Sequence, residues 1–279
     1  MKKNRSYAYI VAVLVLSWIV QYVLFSGMLP EKYLSLYMFV PAALAFVFFL
    51  FGNDPWKRQA ALFTRRTSLW SWIFALIYPL IWFGIIIAIA LAAGLGKFNA
   101  DALAVVASWP FLTSFITMVL IMAPVVFGEE YGWRGYLLPE LDKKHGRVWA
   151  TVITGLVWGL WHIPSYYITY SQAGLGNPIL LTAIAVIFVT VGAFPYTYLF
   201  YLNGNLLPCV LFHAVYDKAA GVAFFSTSGS TGPGQGAPGL LTIHWPYVLG
   251  LVIVTGSVLA VFLAREFVKS NFGSPERFQ

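Results

Sequence analysis

The sequence is poor in charge. Asp, Glu, Lys and Arg make up only 10% of its 279 residues, against roughly 25% in a typical soluble domain. Hydrophobic residues make up 60%, and the mean hydropathy is +0.78. The composition excludes an ordinary soluble globular domain, because this number of charged side chains cannot cover the surface of a soluble protein of this length. It predicts an integral membrane protein instead.

Cysteine is almost absent, since Cys209 is the only one in the sequence. An intrachain disulfide and a cysteine-based zinc cluster are therefore excluded, and any metal would have to be bound by His and carboxylate side chains. A nucleic-acid partner is not expected either. The net charge is +7, but the basic residues are scattered among short connections and form no basic face.

Long apolar runs are abundant. A helix needs about 20 mostly apolar residues to cross a bilayer, and eight runs of about this length are separated by charged residues, Gly or Pro. We predict an all-α polytopic bundle with 1–279 as a single membrane domain. The predicted transmembrane segments are Tyr7–Phe25, Tyr33–Phe51, Leu69–Leu91, Trp109–Phe127, Val148–Ile163, Pro178–Leu202, Leu206–Phe225 and Trp245–Ala264.

The basic residues alternate between successive connections. The amino terminus, the 52–68 connection, the 128–147 segment and the carboxyl-terminal tail carry fourteen Lys and Arg residues, whereas the other connections carry only Lys32 and Lys97. Lys218 falls inside the seventh segment. Because cytoplasmic connections are enriched in Lys and Arg, we predict that both termini are cytoplasmic. The Gly- and Ser-rich stretch Ser226–Gly239 is expected to be a flexible external loop without a catalytic serine.

Few ionisable residues fall within or beside the apolar segments, and such residues are costly there and are usually functional. Glu129 and Glu130 follow the fourth segment, and Arg134 lies four residues after Glu130, in the favourable order for an ion pair on a helix. We expect Glu130 and Arg134 to support the helix, with Glu129 free to point elsewhere. The alternative is that both acids merely cap an interfacial helix.

Two histidines lie within predicted helices. His162 follows Trp158 by one turn on the same face, and His213 precedes Asp217 by one turn. A His and an acid on one stripe of an intramembrane helix can bind a proton, a metal ion or a reacting water. The alternatives are a satisfied core histidine for His162 and a structural His213–Asp217 pair that holds two helices together.

Taken in order, Glu129-Glu130-x-x-x-Arg134, Trp158-x-x-x-His162 and His213-x-x-x-Asp217 resemble the CAAX-protease and bacteriocin-processing family (CPBP, or Abi), intramembrane endopeptidases related to the type II CAAX prenyl endopeptidases. The resemblance covers a core of residues 124–220. Two positions depart from the commonest family pattern. Trp158 stands where Phe is usual, and Asp217 stands where Asn is frequent, although an anionic side chain is a poorer oxyanion donor than an amide.

The resemblance implies a proteolytic mechanism. Glu129 and His162 would position and deprotonate a water, and His213, oriented by Asp217, would stabilise the oxyanion or complete a metal site. If a divalent metal such as zinc is bound, Glu129, His162 and His213 are its expected ligands, although the His-Glu-x-x-His motif of soluble zinc proteases is absent. The expected substrate is a membrane protein or peptide, and the expected location is a bacterial plasma membrane.

The predicted depths of these residues conflict. His162 would lie about 21 Å into the membrane from the basic connection, whereas Glu129 would lie near its cytoplasmic edge. We therefore expect a bend at Pro124–Gly128, or a re-entrant 128–143 segment, to bring them together. Two other function classes use the same residue types. One is a non-proteolytic immunity or binding protein, and the other is a proton-coupled transporter, although the repeated halves common in transporters are not visible.

Overall fold

The computed structural model describes residues 5–51, 55–174, 176–224, 239–243 and 245–269. The chain is almost entirely helical over these residues, as the all-α prediction requires. The predicted external loop at 226–239 lies outside the described residues except for Gly239. The helices are α1 (Arg5–Phe25), α2 (Val40–Leu50), α3 (Pro55–Thr64), α4 (Leu69–Ala92), α5 (Ala100–Val106), α6 (Trp109–Glu130), α7 (Leu138–His145), α8 (Arg147–Trp161), α9 (Ile163–Ala173), α10 (Pro178–Asn203), α11 (Leu207–Phe224) and α12 (Trp245–Val268).

Four shorter elements complete the described chain. A 3₁₀ helix, Glu31–Phe39, leads into α2, and a π-helical segment, Tyr131–Leu137, joins α6 to α7. Two three-residue strands, β1 (Gly96–Phe98) and β2 (Leu241–Ile243), pair antiparallel with Lys97 opposite Thr242. The paired strands lie at the carboxyl-terminal ends of α4 and α11.

Seven of the described helical segments are long and apolar enough to cross a membrane, and the chain is an integral membrane protein. They correspond to seven of the eight predicted segments. They are Arg5–Phe25, Tyr33–Leu50, Leu69–Ala92, Trp109–His145, Pro178–Asn203, Leu207–Phe224 and Pro246–Val268.

The remaining predicted segment, 148–163, coincides with α8, and after an interruption at His162 the chain continues as a second short helix, α9. The interruption follows from Pro164, which has no backbone N–H to donate to the carbonyl of Leu160. Side chains of α1 supply the missing donors: Trp18 Nε1 donates to the Leu160 carbonyl at 2.9 Å, and Gln21 Nε2 donates to the Trp161 carbonyl at 2.7 Å. The backbone carbonyl groups at the break therefore have hydrogen-bond partners within the bundle.

The α8–α9 pair runs antiparallel to α10 over most of its length. Gly155 of α8 packs against Thr190 of α10 so closely that a Cβ on this glycine would come within 2.7 Å of the Thr190 carbonyl oxygen. Further along, Tyr170 of α9 packs with Leu181 and Ala185, near the start of α10. The pair thus extends over the same depth as α10, which is itself long enough to cross the membrane.

Both described ends of the chain lie at one end of the bundle. We call this the basic end, formed by the start of α1, residues 55–68, α7 with the start of α8, residues 203–206 and the end of α12. Tyr7 Oη lies 2.7 Å from His145 Nε2, and the Leu206 N–H donates to the Leu62 carbonyl at 2.8 Å. Phe267 of α12 stacks on Phe194 beside Val148. Chain ends at the same end of the bundle require an even number of crossings, as eight segments would give.

The predicted end of the fourth segment at Phe127 is wrong. The helical chain continues through Glu130, the π segment and α7 to His145, because Glu129, Glu130 and Arg134 find buried partners and do not have to reach solvent. Glu129 is therefore 16 residues before His145, and His162 is 17 residues after it. The two lie at similar depths on adjacent arms of a helical hairpin, so the predicted conflict of depths disappears.

The backbone stays helical through Pro124–Gly128, since α6 runs unbroken from Trp109 to Glu130. Gly128 serves close packing instead. A Cβ at this position would come within 2.3 Å of the Met38 carbonyl oxygen, so only glycine allows α6 to approach the 3₁₀ helix this closely. The irregular backbone follows the two glutamates, in the π segment, a type of insertion that is frequent at functional sites.

Candidate active site

The two adjacent glutamates at the end of α6 are fully buried and make different contacts. Glu129 Oε2 accepts a hydrogen bond from Trp158 Nε1 at 2.6 Å. Glu130 Oε1 accepts from Arg134 at 2.8 Å and lies 2.7 Å from His213 Nδ1. The predicted Glu130–Arg134 ion pair is therefore present, with neither side chain exposed. Such burial excludes the reading in which both acids cap an interfacial helix.

Arg134 occupies a corner between two aromatic rings. Its guanidinium carbon lies 4.4 Å from the ring centroid of Trp158 and 4.2 Å from that of Tyr196, and the two rings meet at 77°. Only Nη1 donates a hydrogen bond, to Glu130, whereas Nε and Nη2 have no hydrogen-bond partner among the described residues. The position of the guanidinium group thus depends strongly on these two rings.

His213 is oriented by Glu130 rather than by Asp217. His213 Nδ1 is the atom in contact with Glu130, whereas His213 Nε2 lies 3.8 Å from Asp217 Oδ1, beyond hydrogen-bond distance. The i,i+4 spacing does stack Asp217 on the same face of α11, as predicted, but the close packing of α6 against α11 gives the hydrogen bond to Glu130. The orienting role predicted for Asp217 therefore falls to Glu130 in this structure.

His162 lies at the break between α8 and α9. Its ring stacks on Tyr166 at 4.7 Å between centroids and contacts the edge of Trp161 at 4.6 Å. His162 Nδ1 is buried and has no hydrogen-bond partner in the described part of the chain. The structure therefore does not support the reading of His162 as a satisfied core histidine.

One cavity brings these groups together. It has a volume of about 200 Å³, and Glu129, His162, His213 and Asp217 all line it. Trp158 is its central contact, with ring centroids 6.3 Å from His162 and 5.5 Å from His213. The remaining lining residues are apolar or aromatic: Tyr37, Met38, Met122, Tyr166, Phe188, Val189, Gly192, Tyr196 and Tyr216.

Sequence reasoning missed several members of this site. It placed Trp158 beside His162 but did not foresee its hydrogen bond to Glu129, and it singled out neither Tyr196 nor Tyr37. Aromatic residues make up 18% of the chain, so no local signal separates these rings from those that face lipid. Only the packing of α10 and the 3₁₀ helix against α6 and α8 brings them to the cavity.

The residues do not fit a metal ion as they stand. Within the described ranges, no three His, Cys, Asp or Glu side chains are arranged so that they could hold one ion. The chemistry of the donors agrees with this geometry, because Trp158 already donates to Glu129 Oε2 and Glu130 already binds His213 Nδ1.

Comparison with known families places this site within one matched segment. Residues 108–219 match the model of the family described as type II CAAX prenyl endopeptidase Rce1-like. The match begins at the residue that caps α6 and ends on α11, so it contains all the charged residues of the cavity. Over this segment, the chain is similar to the Rce1-like family. The family resemblance predicted from the three motifs is thereby confirmed.

The chain also resembles a curated protein. The similarity to CAAX prenyl protease 2 of Methanococcus maripaludis is 25% identity over 99 residues, which are 36% of this chain and 35% of that protein. The chain thus matches about a third of the length of this relative. The helices outside the Rce1-like segment are not covered by the family match.

Proposed function

We propose that the protein is an intramembrane endopeptidase that hydrolyses a peptide bond in a membrane-associated protein or peptide. The observation that carries the proposal is the convergence of Glu129, His162 and His213 on one buried cavity within the Rce1-like segment. A carboxylate and two imidazoles around a space large enough for water and a peptide group are the parts that general acid–base hydrolysis needs.

In the proposed mechanism, Glu129 is the general base. Trp158 holds Glu129 Oε2, which leaves Oε1 to take a proton from a water while His162 accepts or donates the second hydrogen bond of that water. The water oxygen attacks the carbonyl carbon of the scissile peptide. When the C–N bond breaks, Glu129 returns its proton to the leaving nitrogen, so that the products are a carboxyl group and an amine.

His213 would stabilise the negative charge that develops on the carbonyl oxygen. When the ring is protonated, Nδ1–H donates to Glu130 and Nε2–H is available to the oxyanion. Glu130, held in turn by Arg134, is thus a positioning residue, and Asp217 has a secondary role at the edge of the cavity.

The test is cleavage by the purified protein, reconstituted in liposomes, of a library of membrane-anchored peptides that includes prenylated and unprenylated CAAX sequences. We expect cleavage by the wild type and cleavage roughly 10³-fold slower by Glu129→Gln. Binding without cleavage of any peptide would contradict the proposal and favour a non-proteolytic binding protein. Activity that is lost with a chelator and restored by zinc would mean that Glu129, His162 and His213 rearrange to bind a metal.

We further propose that the basic end faces the cytoplasm of a bacterium. Arg134 is buried and leaves the cytoplasmic count, so thirteen of the predicted fourteen Lys and Arg residues remain on that side, against two. In a Cys209→Ala background, we expect a membrane-impermeant thiol reagent to label Ala100→Cys and not Ser68→Cys in intact cells. The opposite pattern would reverse the orientation.

A further inference from the structure

Tyr196 of α10 lies between Trp158, which holds Glu129, and His213. Its ring contacts the Arg134 guanidinium at 4.2 Å, and its centroid lies 5.2 Å from that of Trp158 and 5.3 Å from that of His213. The side chain is only 2% exposed and lines the cavity. None of the sequence motifs includes it.

Arg134 connects both arms of the site. Arg134 is hydrogen-bonded to Glu130, which contacts His213. Its guanidinium group also packs on the ring of Trp158, whose indole N–H donates to Glu129. Yet Arg134 has a single hydrogen bond among the described residues, and one bond leaves a planar group free to rotate about it. The two rings must therefore fix its plane.

Of the two rings that contact Arg134, that of Tyr196 is the one without a hydrogen bond to a carboxylate of the described site. Trp158 is itself fixed by Glu129, whereas the Tyr196 hydroxyl is buried without a hydrogen-bond partner in the described ranges. The contribution of Tyr196 to the corner is thus its ring and not its hydroxyl. Without the ring, Arg134 could tilt away from Trp158 and take Glu130 with it.

We propose that Tyr196 is a positioning residue of the peptide hydrolysis reaction, and that its ring acts through Arg134 to hold Glu129 and His213 at their working separation. This inference rests on the proposed function. Displacements of about 1 Å in such constellations can reduce rates about 100-fold, so the effect should appear in the chemical step.

The test compares Tyr196→Leu, which removes the ring, with Tyr196→Phe, which removes only the hydroxyl. We expect Tyr196→Leu to lower kcat at least about tenfold with little change in KM, whereas Tyr196→Phe keeps most of the wild-type kcat. If Tyr196→Leu does not give folded protein, Tyr196→Met replaces it. Equal losses in the Leu and Phe variants would overturn the role of the ring, as would wild-type kcat in Tyr196→Leu.

The matched control is Tyr201→Leu. Tyr201 lies on the same helix and its ring contacts another arginine, Arg147, at 4.1 Å, but at the basic end. We expect this variant to lose thermal stability while the folded fraction keeps the wild-type kcat. If Tyr201→Leu lowered kcat as much as Tyr196→Leu, loss of any buried tyrosine–arginine contact would explain the effect and the proposal would fail.

A double variant tests whether Tyr196 acts through Arg134. In an Arg134→Lys background, which keeps the charge but removes the planar group, Tyr196→Leu should cost less in kcat than it does in the wild type. An undiminished cost would overturn this route. Absence of cleavage by the wild type would overturn the proposed function itself and the role of Tyr196 with it, whereas wild-type cleavage with an unaffected Tyr196→Leu variant would overturn only the role of Tyr196.

Discussion

Two regions of the molecule use the same residue types in opposite surroundings. The buried centre consists of Glu129, Glu130, Arg134, His213 and the rings of Trp158 and Tyr196. The basic-end cluster consists of Arg58, Glu140, Lys143, Asp142, Tyr201 and Arg147. Both contain an arginine paired with a glutamate and a tyrosine ring against an arginine.

The difference between the two regions is exposure to water. Arg134 and Glu130 are wholly buried, whereas the Arg58 and Glu140 side chains are 29% and 18% exposed, and Lys143, which also pairs with Glu140, is 62% exposed. Taking charges out of water costs several kcal/mol per ion unless partners compensate, so charges are retained in a membrane interior chiefly for function. The comparison therefore separates the region expected to do chemistry from one that joins helices at a surface.

The largest effect should come from Glu129, the buried glutamate without an ion pair among the described residues. Glu129→Gln is expected to lower kcat roughly 10³-fold, because the amide cannot take a proton from water, and folding should be unchanged, because the amide oxygen can still accept the Trp158 hydrogen bond. Peptide cleavage in liposomes and thermal unfolding measure the two properties. The control is Glu140→Gln at the basic end, and a similar loss of rate in both variants would remove the distinction between the regions.

Substitution of either histidine should lower activity, but only substitution of His213 should also lower stability. We expect His162→Ala and His213→Ala each to reduce kcat at least about 100-fold, and the double variant to be no worse than either, since both act on one reacting centre. His213→Ala should also lower the unfolding temperature, because Glu130 loses a hydrogen bond, whereas His162→Ala should not. Multiplicative losses of activity in the double variant would mean that the two rings act independently.

The sequence was sufficient to predict the helical bundle and the ionisable residues that line the cavity, because period, hydropathy and misplaced charge are local signals. It misplaced the end of the fourth segment because burial of Glu129, Glu130 and Arg134 depends on partners that are remote in sequence. The contact between Glu130 and His213 spans 83 positions, and the carbonyl groups at the break near His162 accept hydrogen bonds from α1 side chains 140 and 142 positions away. Spacing along one helix favoured Asp217 as the partner of His213, and only tertiary packing could show otherwise.

The next effect concerns stability rather than rate. Arg134→Met should lower the free energy of unfolding by roughly 3–5 kcal/mol, because it leaves the Glu130 carboxylate buried without its cation. The double variant Arg134→Met, Glu130→Gln should recover part of this loss, since no unpaired charge remains. Reversible unfolding in mixed micelles measures both. A double variant no more stable than Arg134→Met would contradict the account of a paired buried charge.

The smallest effect is expected at the basic end. Arg58→Gln removes a cation that pairs with Glu140, but both side chains keep contact with water and Lys143 still lies 2.9 Å from the same Glu140 oxygen. Partly exposed ion pairs contribute about 0–1 kcal/mol, so the free energy of unfolding should fall by less than about 1 kcal/mol and kcat should not change. The neighbouring exposed residue gives the control, Lys57→Gln. If Arg58→Gln destabilised the protein as much as Arg134→Met, exposure to water would not be what distinguishes the two regions.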